Sequence, residues 1–414
     1  MSKLQELINK LCPNGVEFKP LGEVCEIKTG KGITKNDATG GGNYPIISGG
    51  QTPMGYYHEY NRGPKTVTIS RVGAYAGFVS FIEEPFYLND KCFSIIPIND
   101  FQTLINSRFL FHHLKNKEET IKNLQSEGGV PTINTKKVGS IMIPIPPIEV
   151  QEEIVRILDS FSDYAAELQA ELQARKQQYE YYRNLLLTFN PSAYGCGTDD
   201  EQKDGVTTWG GHNYKIEWKK LGDVFEMRNG YTPSKNNSEF WVGGTIPWFR
   251  MDDIRENGRI LSDSIQHITP SAIKGKGLFE ANSFILATTA TIGEHALIIA
   301  DSLANQQFTN LKVRKSLSNL LVTKFIYYYM FIVDDFCKKN TNVSGFASVD
   351  MDKLKRMPFP IPPLELQEKI VAILDRFETL VNDLTNGLPA EIAAVKDQYE
   401  YYRNKLLTFK KLTA

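Results

Sequence analysis

The sequence predicts an α+β chain: two globular domains separated by two long antiparallel coiled-coil helices, with a pseudo-twofold internal repeat. Three observations predict it. The chain repeats itself, each copy ends in a long heptad seam, and the seams are acidic whereas the rest is basic. Residues 144–168, PIPPIEVQEEIVRILDSFSDYAAEL, match 360–384, PIPPLELQEKIVAILDRFETLVNDL, at 14 of 25 positions; 169–189 match 389–409 at 15 of 21. The offset grows from 216 to 220, so the second copy carries four extra residues, Thr385 to Leu388. Fainter matches precede these: 16–30 with 216–230, 107–114 with 323–330, and EGGVPTIN (127–134) with VSGFASVD (343–350). The reading is a domain at 1–143, a helix at 144–189, a linker at 190–214, a domain at 215–357 and a helical segment at 358–414.

The first helix follows from its spacing. Steps of four and three from Ile154 pass through Leu158, Phe161, Ala165, Leu168, Leu172, Arg175, Tyr179, Tyr182, Leu186 and Phe189. Ten of these eleven are apolar or aromatic, the mark of a helix packed lengthwise on a partner helix. Pro146 and Pro147 suit its start, Glu149, Glu152 and Glu153 suit the positive end of its dipole, and Asn190-Pro191 stops it. The second copy repeats the seam from Ile370 to Phe409. Its insertion is a stutter with Gly387 and Pro389 beside it, so a break is expected near 385–389. Neither stripe can be buried alone, and an antiparallel pairing would hold the two domains apart.

Lysine plus arginine number 47 and aspartate plus glutamate 48, a net charge of −1. That near-balance hides a partition. Residues 148–189 have four positive and eight negative side chains and 364–409 have five and eight, which leaves +6 for the remainder. A polyanion would be gripped by the domains rather than the helices. The five cysteines (Cys12, Cys25, Cys92, Cys196, Cys337) show no CxxC spacing, so a reducing cytoplasm is expected rather than a disulfide framework. No apolar run of 18 residues occurs, and the first 20 residues lack a signal-peptide core. No phosphate loop, HExxH or GxSxG motif is present, and His112-His113 lie in an apolar helical stretch that suits core or surface residues better than metal ligands. A non-catalytic binding and scaffolding role is therefore expected, with no metal site.

The doubled IPIPPxExQ, ILDxF and QYEYYRNxLLTF motifs, with the AELQ-AELQ tetrads at 166–173, resemble the specificity (S) subunits of type I restriction-modification systems. The resemblance covers nearly the whole chain. It implies two target-recognition domains, each reading one half of a split double-stranded DNA target, and helices that dock two modification subunits. S-adenosylmethionine would then sit on the modification subunits, and ATP and Mg on restriction subunits, with no cofactor bound by this chain. The rival readings are a coiled-coil adaptor with two protein-binding domains, and a methyltransferase or nuclease in its own right.

Readout needs side-chain donors and acceptors at base edges and cations on phosphates. In the first domain the Gly/Lys turn (Lys28, Lys31, Lys35, Asn36) and the loop after the VTI strand (Ser70, Arg71, Tyr75) are the candidate DNA contacts. In the second they are Arg228, Asn229, Tyr231, Lys235, Trp248, Arg250, Asp252, Thr289 and Thr291, with Asn305, Gln306 and Gln307 either reading adenine or capping backbone. Phe109, Phe111, Tyr327, Tyr328 and Tyr329 are read as core. Tyr181, Arg183, Tyr401 and Arg403, which lie off the seam, are the candidates for docking partner subunits.

Overall fold

The computed structural model describes residues 3–38, 41–126, 129–189, 206–209, 211–275, 277–342, 347–382 and 387–412. It divides into two units: Met1–Glu171 with Ala390–Ala414, and Leu172–Pro389.

In the first unit, strand Glu17–Pro20 pairs antiparallel with Met142–Ile145, so the domain's first and last strands close on each other. Between them lies a four-stranded antiparallel sheet, in the order Cys25–Thr29, Cys92–Pro97, Thr66–Ser70, Val79–Ile82. Every residue of the inner strand Thr66–Ser70 is buried. Its sequence, TVTIS, still alternates hydroxyl-bearing with apolar side chains, and on the hydroxyl face Thr68 hydrogen-bonds Ser80 at 3.0 Å. A small second sheet joins Tyr56–Tyr57, Tyr44–Ile47 and Tyr87–Leu88. Helix Ser107–Asn116 covers the larger sheet, its N-terminus capped by Asn106, whose Oδ1 accepts from the Arg108 and Phe109 amides.

The second unit repeats this plan. Glu217–Lys220 pairs with Pro358–Ile361 in the matching register, Glu217 opposite Ile361 as Glu17 is opposite Ile145. Its larger sheet runs Phe225–Asn229, Phe308–Val313, Ser283–Ala287, His295–Ile298, with Ile260–Leu261 added at the edge. Its smaller sheet joins His267–Ile268, Ile246–Phe249 and Leu303–Ala304. Its covering helix, Thr323–Lys339, has 17 residues against 10 in the first unit.

The long helix Ile148–Thr188 is continuous over 41 residues, about 60 Å at 1.5 Å per residue. Its first part belongs to the first unit and its last part to the second. In the first unit it runs antiparallel to helix Leu388–Leu406: Phe161 stacks on Tyr402 at 5.4 Å, and the Tyr164 hydroxyl donates to Glu391 at 2.6 Å. In the second unit it packs on helix Leu364–Asn382, where Tyr182 stacks on Phe377 at 5.8 Å. The seam positions Ile154, Leu158, Leu168, Tyr179, Leu186, Ile370, Leu374, Val381, Ile392 and Val395 are all buried. Each such aliphatic side chain contributes about 1.5–3 kcal/mol relative to exposure.

The second helical segment divides where a break was expected, and the linker departs from the sequence reading. The second helical segment is two helices, with Gly387 between them; residues 383–386 of the expected break lie outside the described residues. The end of the expected linker is a hairpin, Val206–Trp209 paired with His212–Lys215, and the Thr207 hydroxyl donates to the Phe189 carbonyl. The run VTTW with a two-glycine turn is a hairpin signal that the Gly- and Thr-rich composition obscured.

Candidate nucleic-acid interface

Both units fasten their sheet domain to the helices by the same two devices. The glutamine of the PxExQ motif is fully buried in each copy. Gln151 donates to the carbonyls of Leu104 and Pro146, both at 2.7 Å, and accepts the Asn106 amide at 2.9 Å. Gln367 repeats the set with Leu320 at 2.8 Å, Pro362 at 2.7 Å and the Val322 amide at 2.8 Å. One amide side chain thus satisfies three backbone groups where the loop before the covering helix meets the start of the long one.

The second device is the aspartate of ILDxF. Asp159 accepts from Arg108 Nε at 2.9 Å and pairs with His112 Nε2 at 2.8 Å; Asp375 accepts from Lys324 at 3.1 Å and from the Tyr328 hydroxyl. Burial pushes the Asp159 carboxyl up, but the His112 and Arg108 hydrogen bonds outweigh it and hold the group below its ordinary value. Burial lowers His112 and takes His113 down to about 4, so both rings favour the neutral form. Phe109, His112, His113, Tyr327, Tyr328 and Tyr329 are buried and Phe111 is half-buried, which makes these core side chains as read.

At one end of each larger sheet four loops converge. In the first unit the turn after Thr29 rests on the segment between the strands Tyr87–Leu88 and Cys92–Pro97. The Lys31 amide donates to Leu88 at 3.0 Å, and a Cβ on Gly30 would lie 2.0 Å from the same carbonyl oxygen, so only glycine fits. The loop after Ser70 joins them: the Arg71 amide donates to Lys91 at 2.9 Å and its guanidinium to the Asp90 carbonyl at 3.2 Å. The segment Val130–Ile133 completes the end, through Gly73 to Pro131 at 3.0 Å and Ile133 to Arg71 at 2.8 Å. The second unit repeats these joints. Tyr231 donates to Ala304 at 2.9 Å, Thr288 to Gln307 at 2.9 Å, and Ala290 to Ala347 at 3.3 Å. Asn89 and Asn305 occupy the same position, each accepting the amide two residues on (Lys91, Gln307) at 3.0 Å.

The scaffold is common and the side chains differ. The first unit presents Lys31, Lys35 and Lys91, all exposed, with Arg71 half-buried above the Phe93 ring. The second presents Asn229, Tyr231, Thr289, Thr291, Gln306 and Gln307, with exposed Lys235 and with exposed Lys274, whose amide donates to the Tyr231 hydroxyl. One loop end is mainly cationic; the other sets hydroxyl and amide groups beside its lysines. Both are chemistries that read nucleic acid.

Of the sequence candidates, Lys31, Arg71 and the exposed Tyr75 are brought to this end, and Lys35 and Asn36 sit in the short helical turn beside it. Tyr231 is held there by its hydroxyl, which donates to Ala272 at 3.1 Å and accepts the Lys274 amide at 2.8 Å. Ser70 and Trp248 are corrections. Ser70 is 3% exposed against Cys92, and Trp248 is 2% exposed with its indole N–H donating to the Tyr231 carbonyl, so neither reaches a base edge. Lys28 is exposed but paired to Glu26 at 2.6 Å, and Arg228 lies over the Phe279 ring at 4.6 Å. Arg250 starts helix Met251–Asn257, where its guanidinium lies 3.7 Å from exposed Asp252. Asn305 does cap backbone, the second of the two readings given it, by accepting the Gln307 amide, and its Nδ2 donates to the Gln307 side chain at 3.2 Å. Asn89, Lys91 and the 130–133 loop were missed; the faint repeat at EGGVPTIN was the signal that marked that loop.

The family model for the type I restriction modification DNA specificity domain matches residues 13–175 and again 214–394. The chain belongs to this specificity-subunit family. Among its relatives, the EcoR124I/EcoR124II specificity subunit of Escherichia coli is 31% identical over 99% of this chain and 98% of its own length. The EcoprrI specificity subunit of Escherichia coli is 52% identical over 203 residues, which span 47% of this chain and 51% of that one. The fold is that of solved specificity subunits. A chain from a study of assembly and conformational transition of the type I system superposes with TM-score 0.61 at 19% identity, covering 96% of this chain and 98% of its own. The S subunit of M. genitalium gives 0.53 at 14% identity, covering 95% and 96%.

For a family that works in a multi-subunit system, the off-seam residues of the two QYEYYRN motifs matter. Tyr181 and Tyr401 are 62% and 59% exposed. Arg183 and Arg403 are half-buried. Arg183 stacks on the Phe331 ring at 4.1 Å, and Arg403 donates to Asn116 at 3.2 Å above the Tyr399 ring, so each is spent on its own unit. A heptad position says which side of a helix a residue takes, not whether a domain covers that side. Among the described residues, no helix is long and apolar enough to cross a membrane.

Proposed function

We propose that each unit reads one half of a bipartite double-stranded DNA sequence through its convergent loop end, and that the helices scaffold two modification subunits and, through them, restriction subunits. The observation that carries this reading is the pairing of an identical loop framework with different side chains. A repeated framework suits two readers of one duplex, while Lys31, Arg71 and Lys91 in one copy and Tyr231, Thr289 and Gln307 in the other suit unlike half-sites. Chemistry is left to the partners: S-adenosylmethionine on the modification subunits, ATP and Mg on the restriction subunits, all in the cytoplasm. Membership of the specificity-subunit family supports the division of labour. The test is a gel-shift of the chain assembled with modification subunits, on split and scrambled duplexes across a salt series. The split duplex should be preferred, and log affinity should fall with log salt by about 0.9 per phosphate contacted. Equal affinity for both duplexes would refute the reading.

A further inference from the structure

The turn that carries Lys31, Lys35 and Asn36 is braced by two residues outside the four loops, Asn61 and Arg62. They lie between the strands Tyr56–Tyr57 and Thr66–Ser70, where Arg62 forms an isolated antiparallel bridge with the fully buried Phe86. The half-buried Arg62 guanidinium spends its three nitrogens on three acceptors. Nε donates to the Ser94 hydroxyl at 2.7 Å, one terminal nitrogen to the Asn61 carbonyl at 2.8 Å, and the other to the Thr29 carbonyl at 2.9 Å. Thr29 ends the strand from which the turn departs. Ser94 is fully buried and passes the brace on by donating to the Lys28 carbonyl at 3.2 Å. The Asn61 side chain holds the other side of the turn. Its nitrogen donates to the Leu88 carbonyl at 3.1 Å, and its oxygen accepts the Leu88 amide at 2.7 Å. That same carbonyl accepts the Lys31 amide at 3.0 Å.

A base-edge contact discriminates only if its donor is held to about half an ångström, and a surface turn is held by what lies beneath it. The Asn61-Arg62 pair fastens both the start of the lysine turn and the strand that leads into the Asn89–Lys91 loop. It therefore fixes Lys31 and Lys91 relative to each other. The three acceptors suit a planar fork, and a single ammonium could not meet them all. The second unit is built differently at this place. Phe279 stands where Arg62 does, bridged to Ser302 as Arg62 is to Phe86. The guanidinium there comes from Arg228, which faces Asn310 across its strand pair as Lys28 faces Ser94, and it lies over the Phe279 ring at 4.6 Å. Asn310 turns to the Ser283 hydroxyl at 2.8 Å and to the Phe284 carbonyl at 3.1 Å. The Arg62 brace thus belongs to one copy. We propose, resting on the DNA reading above, that Arg62, aided by Asn61, is a positioning residue for the half-site read by the first unit, acting through the turn and touching no nucleotide itself.

The test places Arg62→Met, Arg62→Lys and Ser94→Ala in the chain assembled with modification subunits. Each is read by gel-shift on split duplexes altered in one half-site at a time, across a salt series. Arg62→Met should reduce discrimination at one half-site at least about tenfold, and leave the other half-site and the salt slope as in the parent. Arg62→Lys should do nearly the same, because the turn needs the fork rather than the charge. Ser94→Ala keeps the charge and removes the acceptor for Nε; it should show a smaller loss at the same half-site, and it carries the test if Arg62→Met does not fold. In the full chain free of DNA, hydrogen exchange at the Gly30 and Lys31 amides should speed up at least about tenfold in Arg62→Met. A salt slope lower by about 0.9 would make Arg62 a phosphate contact and overturn the proposal. Equal weakening on every duplex, the mark of a merely structural residue, would overturn it too, as would full discrimination in Arg62→Lys. A parent complex with no preference for the split duplex would sink the DNA reading and this role with it. Unchanged exchange at Gly30 and Lys31, beside an intact parental preference, would sink this role alone.

Discussion

Replacing Gln367 with alanine should cost the second unit about 3–6 kcal/mol. The side chain is fully buried, and its removal strips partners from the Leu320 and Pro362 carbonyls and the Val322 amide. Each orphaned buried group costs about 1–3 kcal/mol, so three cost about 3–9, and partial relaxation keeps the sum in the lower half of that range. Against a domain stability of about 5–15 kcal/mol, this loss leaves the unit marginal. Gln151→Ala should do the same to the first unit, because its three hydrogen bonds match. The assay is native-state hydrogen exchange with urea unfolding of the full chain, since a two-unit chain need not unfold in a single step. Protection should fall first around Pro358–Leu374 in one variant and around Met142–Leu158 in the other, while exposed Gln169→Ala stays within about 0.5 kcal/mol of the parent. A loss below about 1 kcal/mol, or equal loss of protection in both units from either variant, would refute the latch.

Four further outcomes follow from particular contacts. Arg156 and Lys3 hold Glu153 down to about 2, so it binds fewer protons folded than unfolded; its stabilisation is complete above about pH 4.5 and fades as pH falls toward 2, and urea midpoints across that window should fall less steeply in Glu153→Gln. Burial lowers His113 to about 4, so its share of stability is complete above about pH 6.5 and fades toward pH 4; a His113 variant that leaves that slope unchanged would contradict it. Ala290 has φ 64° where its counterpart Gly73 has φ 97°, so Ala290→Gly should raise and Gly73→Ala lower thermal stability, each by about 1 kcal/mol. Adding one further four-residue unit beside AELQ-AELQ lengthens the helix by about 6 Å and should shift the preferred half-site separation by one or two base pairs, read by gel-shift on a spacer series.

The parts of this architecture that were legible in the sequence are those with a period or a copy. The heptad from Ile154 to Phe189 announced the long helix, and the doubled PIPP and ILDxF runs announced two units. The sheets were much less legible. Thr66–Ser70 alternates hydroxyl and apolar side chains as a half-exposed strand would, yet it is buried on both faces, and two-residue strands such as Tyr87–Leu88 leave no pattern at all. At the loop end, residue type located Lys31 and Arg71 but misjudged Ser70 and Trp248. Their burial is decided by neighbours remote in sequence, Cys92 for one and Tyr231 with Trp241 for the other. The half-burial of Arg183 and Arg403 was hidden for the same reason, since Phe331 and Asn116 reach them only through the tertiary fold.

The central claim is that two copies of one framework read two unlike half-sites. It is tested most directly by mapping methylated adenines in cells carrying either the parent chain or a chain whose Thr288–Gly293 and Asn305–Gln307 loops are replaced. The parent should mark a split motif, and the replacement should change one half of that motif while leaving the other half intact. A single contiguous motif, or a replacement that alters both halves together, would contradict it.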